Sequence, residues 1–285
     1  MNYLNLDKAM LYGKEKIGIR DTRYILSHIT GYTTGGLMLK FNEELTPVEY
    51  NLFLEYVRRR QANEPLQYIL GQWDFMGLTL LTDKRALIPR PETELLVEEA
   101  LDYITNIQHA PVRVLDVCTG SGCIALAIAL LAENAIVTAT DISEDALELA
   151  RENAEKLKIS PERVKFLKSD LLEGISENPL SDEISGEFDI IVSNPPYILS
   201  GDMPGLSPAV RDHEPHLALD GGTDGLDFYR RLIPQCKKIL RDGGALFLEI
   251  GSPAVVDLMA DAGFENITKR HDFAELERIV SGIKI

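Results

Sequence analysis

The chain has 285 residues, 45% of them hydrophobic, and carries 29 Lys and Arg against 45 Asp and Glu, a net charge of −16. That is the balance of an ordinary globular protein; no apolar run approaches the roughly 20 residues of a membrane span and the first residues lack the pattern of a signal peptide, so a cytoplasmic protein without membrane contact is expected. Residues 1–85 hold 11 basic against 10 acidic side chains and residues 86–285 hold 18 against 35, and a half this acidic is poorly suited to gripping nucleic-acid phosphates.

In chain order, the first part reads as helical. Asp21 is placed to cap a helix ending at Gly31. Thr46-Pro47-Val48-Glu49 joins a Thr N-cap, Pro at the first helical position and Glu three residues after the cap, which predicts a helix from Pro47 to the neighbourhood of Asn63, short of Pro65. Arg58, Arg59 and Arg60 fall on that helix, either as a solvated face or as a docking patch for an acidic partner. Tyr68-Ile69-Leu70, Phe75 and Leu78-Thr79-Leu80-Leu81, punctuated by Gly71 and Gly77, predict a short β-hairpin. Leu87-Ile88-Pro89-Arg90-Pro91-Glu92-Thr93-Glu94 then enforces an extended path into a new helix. These readings divide the chain into a helical domain at residues 1–65, a hairpin connector at 66–85 and a main domain at 86–285.

From Val112 onward strands and helices alternate. Strands are predicted at Arg113 to Val117, Ala135 to Thr140, Val164 to Leu167, Phe188 to Ser193 and Ala245 to Ile250, with helices at Ile124 to Leu131, from a Ser143 N-cap to Leu157, near Leu226 to Leu240, and from Ser252-Pro253. Two short strands near Ile267 and Ile279 close the series. Such alternation predicts an α/β fold, an open and mainly parallel sheet with helices on both faces. The acidic stretch from Glu173 to Glu187 reads as a surface loop. Cys118, Cys123 and Cys236 fit no metal knuckle or disulfide framework and read as buried thiols; His28, His109, His213, His216 and His271 are too scattered for a metal site, so none is expected.

Thr119-Gly120-Ser121-Gly122-Cys123 lies between the first strand and its helix. Glycines there let the backbone turn sharply beside a ligand, while the helix start offers free N–H groups. Asp141 ends the second strand, about 20 residues on, where a carboxylate can accept from ribose hydroxyls. The pattern also fits a dinucleotide dehydrogenase. Asp116, just before the loop, would repel a pyrophosphate but suits a cationic amino-acid ligand or anchors the loop amides. Asp170-Leu171 ends the third strand, where an adenine would lie.

Asn194-Pro195-Pro196-Tyr197 closes the fourth strand. The two prolines fix the backbone and remove two N–H donors. The side-chain oxygen of Asn194 and the carbonyl of Pro195 can together accept both hydrogens of an –NH2 group, with Tyr197 stacked on its planar face. An amide nitrogen is a poor nucleophile because its lone pair is delocalised, so orientation against an activated methyl is what the site must supply.

The chain resembles the protein-(glutamine-N5) methyltransferases of the HemK family, which modify peptide-chain release factors. The resemblance covers nearly the whole chain and rests on Glu64-Pro65-Leu66-Gln67-Tyr68-Ile69-Leu70-Gly71, on Leu87 to Glu94, on Asp116 to Gly122, on Asn194-Pro195-Pro196-Tyr197-Ile198, on Glu214-Pro215 with Ala218-Leu219, and on Gly221-Gly222 with Asp224-Gly225-Leu226. It implies a class I methyltransferase fold, Rossmann-like with seven strands, a small helical N-terminal domain that helps dock the substrate, and S-adenosyl-L-methionine as cofactor, leaving S-adenosyl-L-homocysteine as product. Carried over by residue, it implies that Cys118, Thr119, Gly120, Ser121 and Gly122 cradle the methionine part, Asp141 the ribose, and Leu171 with Asp170 the adenine. Asn194 would touch cofactor and substrate, and Pro195, Pro196 and Tyr197 would complete the pocket for the glutamine of a Gly-Gly-Gln loop. The family's usual glycine before Thr119 is Cys118 here, which a negative φ would accommodate. Arg90 and Glu92 are expected to wall the cleft or stitch domains, and His213 and Glu214 to be surface groups or part of a substrate-facing loop. A monomer without direct nucleic-acid contacts is expected. The competing readings are a nucleic-acid amino-methyltransferase, disfavoured by the acidic charge and the lack of an aromatic-basic module, and a non-catalytic cofactor-binding assembly protein, for which the intact Asn194 to Tyr197 clamp would have no use.

Overall fold

The structure is a computed structural model that describes residues 5–173 and 187–285. The described residues divide into two compact units, one within residues 5–72 with 207–213, the other within residues 73–173, 187–206 and 214–285. The acidic loop expected between Glu173 and Glu187 lies, apart from its two ends, outside the described residues.

The first unit is helical: α1 (Leu6–Ile17), α2 (Ile19–Thr30), α3 (Thr34–Leu37), α4 (Pro47–Gln61) and α5 (Leu66–Leu70). Ala9, Ile25, Leu26, Phe53 and Val57 are fully buried between them, which supplies the burial that short helices need in order to persist in water. The capping box at the start of α4 forms as the sequence predicts: Glu49 N–H donates to Thr46 Oγ1 at 3.3 Å and Thr46 N–H to Glu49 Oε2 at 2.7 Å. Asp21 does not cap α2; Gly18 occupies the N-cap, and Asp21 instead accepts from Arg60 at 2.6 Å. Arg59 holds Glu64 at 2.6 Å. Two of the three arginines of α4 are thus occupied inside this unit, and Arg58 alone of them is exposed.

The expected strand at Tyr68 to Leu70 is the helix α5. A five-residue apolar run carries no usable period, and the decision passes to its flanks. Pro65 sets the start, and Gly71, at φ 70°, makes the left-handed turn that returns its N–H to the Gln67 carbonyl at 2.9 Å, a turn costly for any side chain. The hairpin follows instead as β1 (Gln72–Phe75) and β2 (Leu78–Leu81), joined through Met76 and Gly77, both at positive φ, the signature of a tight hairpin turn.

The second unit continues with α6 (Pro91–Thr105), β3 (Val112–Val117), α7 (Cys123–Leu131), β4 (Ala135–Asp141), α8 (Glu144–Lys156), β5 (Val164–Lys168) and β6 (Phe188–Ser193). The short α9 (Pro208–Arg211) belongs to the helical unit, and α10 (Asp227–Ile239), β7 (Leu240–Glu249), α11 (Ala254–Asp261), β8 (Phe264–His271) and β9 (Glu277–Lys284) complete the chain. Seven strands form one sheet in the order β5-β4-β3-β6-β7-β9-β8. The first five run parallel, while β9 is antiparallel to both neighbours. The expectation of a mainly parallel sheet holds, although the last two strands are eight residues each rather than short.

Period-two alternation sorts the strand residues between two cores. Val114, Val137, Ile190, Val192, Ala245 and Phe247 pack with α6 and α7 on one face; Leu115, Val117, Ile191, Leu246 and Leu248 pack with α10 and α11 on the other. On α6 the buried positions Thr93, Leu96, Val97, Ala100 and Ile104 recur at helical spacing. The same parity carries Asp116 to the α7 face and Glu249 to the α6 face.

Candidate active site

Strand order reverses between β3 and β6, so their loops diverge and open a crevice at the carboxyl ends of the strands. A cavity of about 320 Å³ lies there. Asp116, the penultimate residue of β3, is fully buried beneath it. Its Oδ2 accepts from Thr119 Oγ1 at 2.6 Å and from the Ala125 N–H at 3.1 Å, so it anchors both the loop and the first turn of α7. Its Oδ1 has no partner among the described residues, and neither does the buried Ser121 Oγ. Burial pushes the Asp116 carboxyl up to about 7; a cation bound nearby would favour its ionised form.

The loop above Asp116 turns through three left-handed residues, Cys118, Gly120 and Gly122, at φ 60°, 56° and 81°. The negative φ that would accommodate a side chain at Cys118 is therefore not found. The left-handed turn directs the next N–H, of Thr119, onto the Thr140 carbonyl at 2.9 Å, and this tie between the β3 and β4 ends holds a side chain in a conformation that costs about 1 kcal/mol or more. Burial pushes the Cys118 thiol well up. Asn153 on α8 fastens the loop from below, donating to the Ser121 carbonyl at 3.0 Å while accepting from the Leu81 N–H at 2.6 Å.

Asp141 ends β4 with Oδ2 on the Gly120 N–H and Oδ1 on the Ser143 N–H, both at 2.9 Å. Burial raises its pKa against the pull of those backbone donors. Beyond β5, Leu171 adopts φ 51° and is buried in the cavity wall, while Asp170 reaches Arg231 at 2.8 Å. Cys118, Thr119, Gly120 and Ser121 all line the cavity, as do Asp141, Asp170, Leu171, Asn194 and Pro196. Asp116 lies under the loop, and Gly122 packs towards Ala150; these two, with Pro195 and Tyr197, are not in the wall.

Asn194, half-buried, follows Ser193, whose hydroxyl donates to the Val117 carbonyl at 2.7 Å and so locks the end of β6 to β3. Residues beyond Tyr197 are clamped to a second segment: Ile198 N–H donates to Leu219 O at 2.9 Å, and Gly221 N–H to Ile198 O at 2.7 Å. Gly221 is essential to that approach. A Cβ there would lie 2.6 Å from Tyr197 Cα and 2.9 Å from the Pro196 carbonyl oxygen, backbone atoms that no rotamer change can move. Gly221→Ala is expected to destabilise the fold by about 2 kcal/mol and to lower turnover roughly tenfold, checked by thermal melts beside an activity assay.

Two groups that the residue pattern left in doubt have defined places. Arg90 lines the cavity and meets Glu214 at 2.6 Å. Glu214 is only 4% exposed and also accepts from the Ile88 N–H at 3.2 Å, so it is not a surface group: it pins the Leu87 to Pro91 run against the segment after β6. The sequence reading missed Glu249 and Thr93. Glu249, 1% exposed, takes Thr93 Oγ1 at 2.6 Å on one oxygen and Tyr197 OH at 3.3 Å on the other; Asn194 Nδ2 donates to Thr93 Oγ1 at 3.2 Å. Burial pushes Glu249 up to about 7. Its signal was available: a carboxylate closing the apolar run Ala245-Leu246-Phe247-Leu248 at the carboxyl edge of a parallel strand.

Comparison with known proteins gives a consistent result. Residues 108–268 match the family described as a methyltransferase domain, and residues 15–71 match the PrmC N-terminal domain. A release factor glutamine methyltransferase of Clostridium acetobutylicum is 39% identical over 93% of this chain and 91% of its own length. One from Geobacter sulfurreducens is 40% identical over 92% of this chain and 88% of its own. Among solved structures, the hMettl16 catalytic domain, in complex with the MAT2A 3'UTR hairpin 6, superposes with TM-score 0.55 at 17% identity, covering 84% of this chain and 83% of that one; at that identity the likeness is one of fold.

Proposed function

The chain belongs to the release factor glutamine methyltransferase family, and on that premise we propose that it transfers the methyl group of S-adenosyl-L-methionine to the side-chain amide nitrogen of the glutamine in the Gly-Gly-Gln motif of a peptide-chain release factor. The observation that carries this reading is the wall of one cavity, which runs from Asp141 and the glycine loop to Asn194.

The residues present suit the cofactor. Asp116 Oδ1, beneath the loop, and Ser121 Oγ, within it, have no partner among the described residues, Asp141 offers its carboxylate at the ribose position, and buried Leu171 offers an apolar face for a base. When bound, S-adenosyl-L-methionine supplies a methyl already activated on a sulfonium, so neither a metal nor a covalent nucleophile is required of the protein. What remains for the chain is orientation. Asn194 Oδ1 and the Pro195 carbonyl accept the two amide hydrogens, hold the nitrogen facing the methyl and disfavour its planar, delocalised geometry. Tyr197, tethered through its hydroxyl to Glu249, covers the amide plane. Positioning of this kind can contribute up to about 10 kcal/mol. The helical unit, matched by the PrmC N-terminal domain over residues 15–71, is the proposed docking element for the release factor.

The test is mass spectrometry of an unmethylated bacterial release factor after incubation with the protein and S-adenosyl-L-methionine. One added methyl on the glutamine of the Gly-Gly-Gln loop is expected. Cofactor binding without that product would remove the release factor as substrate.

A further inference from the structure

A clamp built on an asparagine works only if the amide faces the right way. Its oxygen accepts and its nitrogen donates, and the two ends have nearly the same shape. A reversed Asn194 would point two donors at the –NH2 group it must hold. The direction of Asn194 is therefore a catalytic variable, and something in the fold has to set it.

The hydrogen bonds behind Asn194 do so. Thr93 Oγ1 lies 2.6 Å from Glu249 Oε2 and 3.2 Å from Asn194 Nδ2. An ionised carboxylate has no proton to give, so the single Thr93 proton goes to Glu249. The hydroxyl can then only accept from Asn194, which must turn its nitrogen to Thr93 and its oxygen to the cavity. Glu249 is fixed in turn, since Tyr197 OH takes its other oxygen at 3.3 Å and Tyr229 OH donates to its backbone carbonyl at 2.7 Å. We propose that Glu249, acting through Thr93, is the positioning residue that holds the Asn194 amide with its oxygen towards the substrate. The proposal rests on the reading of Asn194 as the amide clamp.

Protonation reverses the logic. A neutral Glu249 can donate to Thr93, whose own proton is then free for Asn194 Oδ1, and the amide is released to turn. The groups facing Glu249 are Glu92 and Thr93 on α6, Tyr197 after β6, Arg278 on β9, Tyr229 on α10 and Cys123 on α7. Burial and the Glu92 charge raise its pKa, while the Thr93 and Tyr197 hydrogen bonds and the Arg278 charge lower it; the balance leaves it near 7. The active form is the ionised one. Transfer should therefore be full above that pKa and fall about tenfold per pH unit below it.

Thr93→Val, which keeps the shape and removes the hydroxyl, is the test, with Thr93→Ser as the restoring variant. By NMR of the free protein, the Asn194 side-chain NH2 signals should shift with a midpoint near pH 7 in the wild type and in Thr93→Ser, and show no such titration in Thr93→Val. With release factor and S-adenosyl-L-methionine, Thr93→Val should lower kcat about 30-fold, leave KM for the release factor within about twofold, and lose the acid limb of kcat; Thr93→Ser should recover both. An Asn194 signal that does not titrate in the wild type, or titrates unchanged in Thr93→Val, overturns the relay. So does a lowered kcat that keeps the wild-type limb. The NMR result stands whatever the substrate is, so a wild-type protein that methylates no release factor would count against the proposed function alone.

Discussion

Replacing Asn194 by Ala is expected to lower kcat about a thousandfold while the Kd for S-adenosyl-L-methionine stays within about threefold of wild type. Losing one preorganised hydrogen-bonding group aimed at the reacting atoms costs roughly 10²–10³ in kcat, and here the loss is compounded because the amide nitrogen is no longer held in line with the methyl. The pocket should survive the change. Asn194 is half-buried, and among the described residues its side-chain nitrogen donates to the Thr93 hydroxyl alone, whereas the end of β6 is fixed one residue earlier by Ser193 on the Val117 carbonyl. Titration calorimetry beside a turnover assay separates the two effects; equal losses in binding and turnover would mean that Asn194 serves the cofactor and not the transfer.

Asp141→Ala should behave in the opposite way, weakening cofactor binding about a hundredfold, close to 3 kcal/mol, with a smaller effect on transfer at saturation. Two contributions add. Hydrogen bonds from ribose hydroxyls to a carboxylate are worth about 1.5–3 kcal/mol each. Asp141 also accepts the Gly120 and Ser143 N–H groups, so its removal frees both the glycine loop and the start of α8 at once. Asp141→Asn separates these, since its oxygen can keep one backbone bond while its charge is gone. An unchanged Kd in Asp141→Ala would take this residue out of the ribose site.

Much of this was legible in the residues alone, and the boundary is physical. The strands from β3 to β7 are apolar runs bounded by turn residues, and the loop after β3 carries its glycines in plain view. Asp141 and Asn194 stand at strand ends, where ligand chemistry on such a sheet concentrates. Local patterns failed where several conformations fit one short string. The five residues of α5 read as a strand because their length hides any period, and Asp21 read as a cap because its partner, Arg60, is 39 positions away. Glu249 and Thr93 were missed for the same reason at longer range. Neither segment shows by itself what its residue meets, and the two come together across 156 residues because the parity of β7 and the buried stripe of α6 present them to each other. Cys118 is a different case: the loop's geometry prevailed over the side chain's preference.

The place of β9 has a consequence for how the protein comes into being. It is the last strand in chain order yet lies inside the sheet, paired to β7 through Leu248 with Val280 and Glu249 with Ile279. As the chain emerges from a ribosome, β3 to β7 can zip together along with their helices, since domains begin to form during synthesis, but one border of β7 stays bare until residues 277–284 arrive. A bare border of this kind invites pairing with other chains, and Glu249 stands on it. Glu249 is therefore enclosed on that border only once residues 277–284 have been made, after β3 to β7 and their helices are already in place.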